Sequence, residues 1–368
     1  MQTSTVSQHF AGTYAEARRK FLDAAGTLGA VIETFELPGY LGAQGETLAT
    51  DIAYLGARTA RRLLILSSAT HGPEGFCGSG CQIATLHDAD LLQRLERASI
   101  AMLMIHAVNP YGFSHLQRTN QDNVDLNRNH IDFSAGLPRN EGYPALDPLI
   151  IPATWPATAE DDQALAAYVD RHGLPAYHST LSRGQYSNSG GMFFGGFRPT
   201  WNNLTVRRIL RAHASEATHI GWIDLHTGLG PNGHGEKIYA GQMRPADLAR
   251  ARAWWGSDVF APFEGNSESP VVSGPVACTL YDECPQAASA LMALEFGTLP
   301  FMEMIERLRA SHWLIRHPDA PAVQQQQIRQ QVRDAFYCDN DAWKGAIWGQ
   351  TRVALLQALT GLASPSAK

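Results

Sequence analysis

Four short apolar runs constrain the fold of this chain more than any other feature of its sequence. Each run has the length of a β-strand and is almost continuously apolar: Leu63–Ser67, Ile100–Ala107, Ile220–Leu225 and Leu291–Phe296. A strand with one face in water alternates apolar and polar residues, whereas a strand of a parallel sheet is buried on both faces and reads as a continuous run. The runs therefore predict the central strands of a mostly parallel sheet in an α/β protein.

The segments around these runs predict further elements of an α/β fold. Apolar residues at helical spacing predict a first helix within Thr13–Ala25, and Val31–Phe35 and Thr47–Leu55 follow as candidate strands. Leucines at helical spacing predict one helix over Gln82–Arg97, which gives the strand–helix–strand order of a βαβ unit. Three more helices are predicted in the last third of the chain: Pro300–Ile315, Pro321–Phe336 and Trp343–Leu362.

Two stretches interrupt this alternation. Leu137–Pro156 contains five prolines and is predicted to be an irregular surface excursion, and Ser182–Asn203 is a long segment rich in Gly, Ser, Asn and aromatic residues. Loops of that length inside a domain are usually functional or mobile. The 368 residues exceed the roughly 150 typical of one domain, but no linker, repeat or charge run divides them. We therefore expect a single domain over residues 1–368, with an elaborated loop region at about 131–203.

Charge and cysteine content bear on partners and compartment. With 29 basic and 35 acidic side chains the net charge is −6, which argues against the basic patch of a nucleic-acid-binding protein. Met1–Phe10 is polar and lacks the apolar core of a secretory signal, and the apolar runs are too short to span a bilayer. Five sparse cysteines show no disulfide or metal spacing. These features predict a cytoplasmic protein that binds neither nucleic acid nor membrane, and they leave the oligomeric state open.

Polar residues with catalytic chemistry follow or end the four apolar runs. His71 and Glu74 follow the first run, Arg118 lies downstream of the second, His226 ends the third, and Glu295 lies within the fourth. In an open α/β sheet, ligands bind outside the carboxyl ends of the strands. We therefore expect these side chains to converge on one pocket, although they are far apart in the sequence.

His71, Glu74 and His226 have the chemistry of a catalytic zinc site. Two imidazoles and one carboxylate leave a fourth position open for water, and zinc bound in this way lowers the pKa of that water to about 7. A carboxylate outside the ligand set must then take a proton, and Glu295 is the candidate general base. Asp125 is the candidate to accept the second ring N–H of a ligating histidine.

The arginines supply the remaining functions of an amide hydrolase. A fixed guanidinium stabilises the oxyanion that forms when an amide carbon is attacked, and Arg118 is the candidate for this role. Arg128, next to Asn127, offers a planar pair of donors suited to a substrate carboxylate. The sequence therefore predicts a substrate that carries a free carboxylate.

The order of these motifs resembles the zinc carboxypeptidase superfamily, and in particular a bacterial, carboxypeptidase-like branch of it. The matching blocks are His-x-x-Glu, Asn-Pro-x-Gly with a downstream Arg, Val-Asp-Leu-Asn-Arg-Asn, a strand-borne His and a late Glu, spread over roughly Arg61–Thr298. The resemblance implies a mixed, mostly parallel, eight-stranded central sheet flanked by helices. It also implies amide-bond hydrolysis by one Zn²⁺ per chain in a carboxypeptidase-like catalytic domain.

The resemblance also assigns roles to single residues. His71, Glu74 and His226 would be the zinc ligands, and Glu295 the general base. Arg118 would polarise the scissile carbonyl, while a terminal carboxylate would be held by Asn127 and Arg128. Tyr281, fourteen residues before Glu295, is the best match to the family's mobile pocket tyrosine. A Gly-Gly-Met-Phe-Phe-Gly-Gly segment at Gly190–Gly196 is similar to one in the bacterial branch and has no assigned role.

Alternative interpretations remain open at this point. A deacylase of the aspartoacylase or succinylglutamate desuccinylase type would use the same zinc set on N-acyl amino acids instead of small peptides. A protein that only binds a metal would need neither Glu295 nor Arg118. Gly228–Gly233 matches the dinucleotide fingerprint Gly-x-Gly-x-x-Gly, but Pro231 and the glycines around it disfavour the helix that this fingerprint requires. The favoured prediction is a carboxypeptidase-like peptidase, with the deacylase as the alternative.

Overall fold

Eight strands form one sheet in the computed structural model, which describes residues 6–364 of the chain. The strands are β1 Val31–Leu41, β2 Thr47–Leu55, β3 Arg62–Ser67, β4 Ala101–His106, β5 His219–Asn232, β6 Gly235–Tyr239, β7 Val259–Phe260 and β8 Ala288–Gly297. Their order across the sheet is β1-β2-β4-β3-β5-β8-β6-β7. β3 pairs in parallel with β4 and β5, β5 with β8, and β6 with β7, while the other neighbours are antiparallel. The predicted mixed, mostly parallel, eight-stranded sheet is confirmed.

Helices cover the sheet and extend beyond it. Within residues 6–364 they are α1 Tyr14–Thr27, α2 Gly75–Leu86, α3 Ala89–Arg97, α4 Pro110–His115, α5 Tyr143–Ile150, α6 Ala159–His172, α7 Leu174–Ser182, α8 Trp201–His213, α9 Pro245–Trp255, α10 Thr279–Glu283, α11 Phe301–Arg316, α12 Ala322–Phe336 and α13 Asp341–Ala363. The helices expected near the amino terminus and in the last third of the chain correspond to α1, α11, α12 and α13.

Both faces of the central strands are buried, as their continuous apolarity predicts. Leu64 and Leu66 of β3 belong to a hydrophobic cluster that includes residues of α1, α2, α9 and α13. Leu63 and Ile65 point to the other face, where they belong to a second cluster with residues of α8 and α10. Because successive side chains of a strand point to opposite faces, each apolar run supplies both clusters.

The prediction of one helix over Gln82–Arg97 is wrong, because the chain breaks there into α2 and α3. Asp88 is the residue responsible for the break. Its side chain accepts a hydrogen bond from the backbone N–H of Leu91 and caps the amino terminus of α3. An Asp that caps a new helix favours a fresh start over continuation of the preceding one.

The prediction that Leu137–Pro156 is irregular is also wrong, since α5 lies inside it. Pro144 occupies the first turn of α5, where a helix does not need the N–H that proline lacks. Tyr143 and Ile150 are buried in a third hydrophobic cluster, which joins α5 and α7 to α11 and α12. Between α7 and α8, by contrast, the structure shows only an isolated bridge from Gln185 to Phe194, as expected of a long loop.

The structure bears only in part on the predictions about membrane spans, cysteines, cellular location and domain number. No helix within residues 6–364 combines the length and apolarity needed to cross a bilayer. All five cysteines lie in this range and are free thiols. The secretory-signal prediction falls partly on residues 1–5, which lie outside the described residues, as do residues 365–368. The cytoplasmic location and the single-domain interpretation stay predictions.

His106, the last residue of β4, is buried next to this core. Its ring stacks on Phe21 at a centroid distance of 4.5 Å, and its Nε2 is hydrogen-bonded to Oγ of Ser79 at 2.8 Å. Burial lowers the pKa of His106 to about 4. The histidine therefore serves the packing of the strand end and is neutral in the folded protein at neutral pH.

Replacement of His106 by Gln is expected to flatten the acid side of the stability profile. An unfolded histidine has a pKa of about 6.5, so between pH 6.5 and 4 the unfolded chain binds a proton that the folded chain does not. The free energy of unfolding therefore falls as the pH drops through this window, by up to about 1.4 kcal/mol per pH unit for this group. Urea denaturation at several pH values should show a shallower slope for His106→Gln than for wild type or for the exposed control His172→Gln. Equal slopes in all three proteins would contradict the assignment.

Candidate metal centre and active site

The central strands bring the predicted site residues to one edge of the sheet. β4, β3, β5 and β8 are neighbours and run parallel, so their carboxyl ends lie side by side. His71 follows β3, while His226 of β5 lies opposite Glu295 of β8 in the pairing register. The convergence expected from the strand ends is therefore what the topology produces.

Glu74 lies between two histidine rings. Nδ1 of His71 is 2.9 Å from Oε1 of Glu74, and Nδ1 of His226 is 2.8 Å from Oε2. All three side chains are buried, and one ligand atom from each lies within 4.8 Å of the others. The two nitrogens and the carboxylate are thus close enough to share one metal ion.

A further carboxylate contacts each ring at Nε2, the nitrogen that faces away from Glu74. Nε2 of His71 is 3.1 Å from Oδ1 of Asp125, and Nε2 of His226 is 2.6 Å from Oδ2 of Asp224. At His226 such a contact fixes the tautomer of a metal-ligating histidine, because the outer nitrogen keeps the proton and the inner one is left as the ligand. At His71 the outer nitrogen also lies 2.9 Å from Nη2 of Arg118. Both rings turn Nδ1 toward Glu74.

Asp224 is not among the site residues that the sequence predicts, and its contact with His226 is the main addition that the structure makes. Its carboxylate also accepts hydrogen bonds from the hydroxyls of Ser67, at 2.5 Å, and Thr70, at 3.0 Å. The signal was available in the sequence, because residues two apart on a strand lie on the same face. The spacing Asp-x-His therefore places a carboxylate beside the ring.

The turn that carries His71 is fixed by its neighbours. The backbone N–H of Asn109 donates to the carbonyl of Ala69 at 2.8 Å, and that of Gly72 donates to the carbonyl of Arg118 at 3.2 Å. A Cβ on Gly72 would lie 2.0 Å from the backbone of the facing chain, so only glycine fits there. This close approach joins the His71 turn to the segment that carries Arg118.

The electrostatics of the cluster reflect strong mutual attraction. Burial alone would raise the pKa of Glu74, but the rings of His71 and His226 lower it below its ordinary value. Burial would lower the pKa of His226, and the charges of Asp224 and Glu74 raise it well above its ordinary value instead. The cluster therefore favours a negative Glu74 and holds a positive charge beside it.

Four carboxylates and two guanidiniums surround the two rings: Glu74, Asp125, Asp224 and Glu295, with Arg118 and Arg128. Without a metal ion, protons on His226 and Glu295 balance the charges of this cluster, as the raised pKa values of both groups indicate. Buried charges need such compensation. A divalent cation between two nitrogens and Glu74 would take the place of those protons, and it suits the ligand type.

Glu295 lines the same cavity as His71, Glu74 and His226. It is buried, and its Oε1 accepts a hydrogen bond from the backbone N–H of Leu229 at 3.1 Å. Burial, followed by the negative charge of Glu74, raises the pKa of Glu295 to about 8. A carboxyl group in this setting exchanges protons near neutral pH, which is the property that a general base requires.

Arg118 and Arg128 approach opposite oxygens of Asp125. Nε of Arg118 donates to Oδ2 at 3.1 Å, and Nη1 of Arg128 lies 3.8 Å from Oδ1. Arg118 also places Nη1 3.4 Å from Oε1 of Glu74. Asp125 thus links the histidine that it orients to both candidate substrate-binding arginines.

The Asn127–Arg128 pair is partly engaged within the protein. Nε and Nη2 of Arg128 donate to the carbonyl of Ser182 at 3.0 and 2.6 Å, and Oδ1 of Asn127 accepts from the backbone N–H of Val276 at 2.8 Å. Both residues nevertheless line the same cavity as the histidines. Both side chains are therefore held by backbone groups of other segments at the edge of the cavity.

Among the residues predicted to bind a metal or substrate or to act in catalysis, Tyr281 is the one that does not line the cavity in the described part of the chain. It lies on α10, where its hydroxyl accepts a hydrogen bond from the backbone N–H of Gln242 at 3.3 Å and Arg244 lies over its ring at 4.7 Å. Gln242 lines the cavity, whereas Tyr281 is absent from the described residues that do. The tyrosine therefore lies behind residues that line the cavity. The sequence did not reveal this, because the position of Tyr281 in the sequence does not determine which way α10 turns its side chain.

The cavity has a volume of about 400 Å³, and His71, Glu74 and His226 are among the residues that line it. Among the described residues, the Asp, Glu, Lys and Arg side chains that line it are Glu74, Arg118, Arg128 and Glu295. Much of the remaining wall is apolar and includes Ile238, Met243, Val271, Ala293 and Met304. The elaborated region of residues 131–203 contributes His178, Ser182 and Phe193, so it shapes the cavity directly.

Comparisons with solved structures return distant likenesses. A metallo-carboxypeptidase from Burkholderia cenocepacia is 13% identical at a TM-score of 0.42, over 93% of this chain and 68% of that one. Bovine thrombin-activatable fibrinolysis inhibitor is 12% identical at a TM-score of 0.41, over 93% and 97%. An aspartoacylase family protein from Mesorhizobium loti is 12% identical at a TM-score of 0.34, over 77% and 66%.

These values are too low to carry an argument about activity, which rests instead on the contacts described above. No curated protein matches the chain. The profile of a family described as "Protein of unknown function (DUF2817)" matches residues 10–350. Because that match spans most of the sequence, the chain belongs to the DUF2817 family.

Proposed function

We propose that this chain is a zinc-dependent amide hydrolase, and most directly a metallocarboxypeptidase that acts on small peptides. One observation carries the proposal: the ligand atoms of His71, Glu74 and His226 lie within 4.8 Å of one another. The cavity that these residues line also holds Glu295 and Arg118. A metal-binding protein without catalytic function would need neither of the last two groups.

Zinc is the cation that this ligand set suits best. Two imidazole nitrogens and one carboxylate form the three-ligand set of catalytic zinc sites, whereas structural sites are closed by four protein ligands. Zn²⁺ held there would supply a Lewis acid and an activated water. The chain's own residues then have to position the substrate and transfer protons.

Glu295 is proposed to move the protons of the reaction. Its raised pKa lets it take a proton as the water attacks the amide carbon and return that proton to the leaving amine. Arg118 is the cationic donor of the cavity wall that lies beside Glu74. Its guanidinium is proposed to stabilise the negative charge that develops on the carbonyl oxygen.

The cavity also defines the kind of substrate that it would accept. Asn127 and Arg128 place amide and guanidinium groups at one wall, which suits a free carboxylate. The apolar residues of the wall suit an uncharged, apolar group next to that carboxylate. We therefore propose a peptide that ends in an apolar residue as the substrate class.

A deacylase of N-acyl amino acids is the second candidate. Such a substrate also carries a carboxylate for Arg128, and a cavity of about 400 Å³ with an apolar wall has room for an acyl chain. The two reactions differ in whether the released fragment is an amino acid from a peptide end or an acyl acid. Only turnover distinguishes them.

Removal of one ligand is expected to remove the metal. His71→Ala eliminates one of three ligands, so zinc measured in the purified protein should fall from one equivalent to a small fraction. Asp224→Asn keeps all three ligands but loses the carboxylate that orients His226, and such changes typically weaken metal affinity by about 10- to 100-fold.

Zinc titration followed by calorimetry measures both variants. Asp122→Asn is a control that changes the same type of side chain at an exposed position. Full zinc content in His71→Ala would refute its role as a ligand. Unchanged affinity in Asp224→Asn would show that its contact with His226 has no bearing on the metal.

Glu295→Gln is expected to abolish hydrolysis while zinc binding persists. Gln has nearly the shape of Glu and can still contact the N–H of Leu229, but it cannot accept a proton. General-base catalysis typically contributes about 10²- to 10⁴-fold, so kcat should fall by at least about two orders of magnitude. Metal content and melting temperature are the controls. Loss of zinc from this variant, or unchanged kcat, would contradict the proposed role.

A substrate panel separates the two candidate reactions. Short peptides that end in Phe or Leu, the same peptides with an amidated terminus, and N-acyl derivatives of the same amino acids should be assayed with and without a chelator. A carboxypeptidase is expected to release the terminal residue from the free peptides alone, with activity lost on chelation and restored by zinc. Turnover confined to the N-acyl amino acids would favour the deacylase, and metal-independent turnover would refute both.

A further inference from the structure

The segment Gly190–Gly196 has no part in the function proposed so far, although it passes beside the site. It lies in the long loop between α7 and α8, and one of its side chains, Phe193, is buried and lines the cavity. Phe193 has a backbone φ of +52°, a region that residues other than glycine rarely occupy. Residues in such strained backbone conformations occur mainly at functional sites, where the surrounding structure holds them in place.

The ring of Phe193 contacts both arginines of the site. Cζ of Arg118 lies 5.2 Å from the centroid of the ring, and Cζ of Arg128 lies 5.4 Å from it. Both distances are within the range of cation–π attraction. One aromatic ring therefore packs against the two guanidiniums that the proposed reaction uses for different tasks.

The loop is hydrogen-bonded to residues 123–129, which include Arg128 and the Asp125 that Arg118 contacts. The backbone N–H of Asp125 donates to the carbonyl of Phe194 at 2.8 Å. Nδ2 of Asn123 donates to the carbonyl of Gly191 at 3.0 Å, and Nδ2 of Asn129 donates to that of Gly195 at 2.7 Å. The bonded residues lie between Asn123 and Asn129. The loop therefore runs alongside the Val-Asp-Leu-Asn-Arg-Asn motif.

Glycine is required where the loop makes its closest contacts. A Cβ on Gly195 would lie 2.2 Å from the ring of Tyr186, whose hydroxyl donates to the carbonyl of Arg128 at 2.5 Å. Only a residue without a side chain leaves room for that tyrosine. The glycines that flank Phe193 thus let the backbone pass close to the site while one aromatic side chain enters it.

The positive charges of Arg118 and Arg128 lie close together and repel each other. Burial lowers the pKa of Arg128, and the neighbouring charge of Arg118 acts in the same direction. The carboxylate of Asp125 attracts both guanidiniums from one side, and the electron-rich face of Phe193 packs against both. Without the ring, both guanidiniums would have more room to separate or to turn toward solvent.

We propose that Phe193 is a positioning residue, which holds Arg118 and Arg128 in the geometry that binds the carboxylate and the carbonyl oxygen of the substrate. The proposal rests on the function proposed above for the two arginines. It assigns a task to the Gly190–Gly196 segment: it carries the ring that fixes both guanidiniums at once.

Three variants test this role. Phe193→Leu keeps an apolar side chain but removes the aromatic face, and Phe193→Tyr restores the ring. Phe194→Leu is the matched control, because Phe194 is buried in the same loop and its ring packs edge-on against Phe197 at 4.8 Å. Zinc content and melting temperature of each variant report on folding.

The first measurement is of arginine position and needs no activity. Crystal structures of wild type, Phe193→Leu and Phe194→Leu are expected to show Arg118 and Arg128 displaced or in several conformations in Phe193→Leu alone. Unchanged, well-ordered guanidiniums in Phe193→Leu would overturn the proposal. Equal disorder in Phe194→Leu would overturn it as well, since the effect would then be one of loop packing.

The second measurement is of carboxylate recognition. Calorimetric titration with N-acetyl-L-phenylalanine and with its amide gives the preference for a free carboxylate. In Phe193→Leu the ratio of the two dissociation constants, amide over free acid, is expected to fall about tenfold. In Phe193→Tyr and Phe194→Leu the ratio should stay within about twofold of the wild-type value. Retention of the full preference in Phe193→Leu counts against the proposal. Absence of any preference in wild type would instead refute the substrate-binding role of Arg128, and the crystal structures would still decide whether Phe193 positions the arginines.

Discussion

Two histidine rings that face one buried carboxylate are the constraint on which the rest of this structure depends. Glu74 is almost without contact with solvent, and its two oxygens lie within 3 Å of Nδ1 of His71 and of His226. A buried carboxylate is unstable unless it is paired. Asp125 and Asp224 contact the outer nitrogens of the two rings, so the inner nitrogens and Glu74 are arranged to share a small divalent cation.

The sheet explains how such a cluster is assembled from distant parts of the chain. Four parallel strands end at one edge, and each end or the loop after it contributes a group to the site. The segment of residues 131–203 then adds a wall to the cavity through α7 and the loop after it. A hydrophobic cluster of this segment with α11 and α12 anchors that wall. A rigid sheet edge thus carries the chemistry, while the added region shapes what can reach it.

Much of this arrangement could be predicted from the sequence, for identifiable physical reasons. Continuous apolar runs indicated strands buried on both faces, and the residues at their ends had to meet because parallel strands end together. What failed depended on local detail. Asp88 starts a new helix, α3, through a single side-chain hydrogen bond, and the prolines before α6 conceal a short helix that tertiary packing stabilises. The place of Tyr281 depends on the direction in which α10 turns, and the contact of Phe193 with two arginines depends on a loop whose course no periodic pattern specifies.

The central claim is that His71, Glu74 and His226 share one divalent cation. A crystal structure of the zinc-loaded protein, with anomalous diffraction recorded on both sides of the zinc absorption edge, tests this claim most directly. We expect one strong anomalous peak bounded by Nδ1 of each histidine and an oxygen of Glu74, at about 2.0 to 2.2 Å from each. A peak elsewhere, or none at this position in fully zinc-loaded protein, would contradict the account.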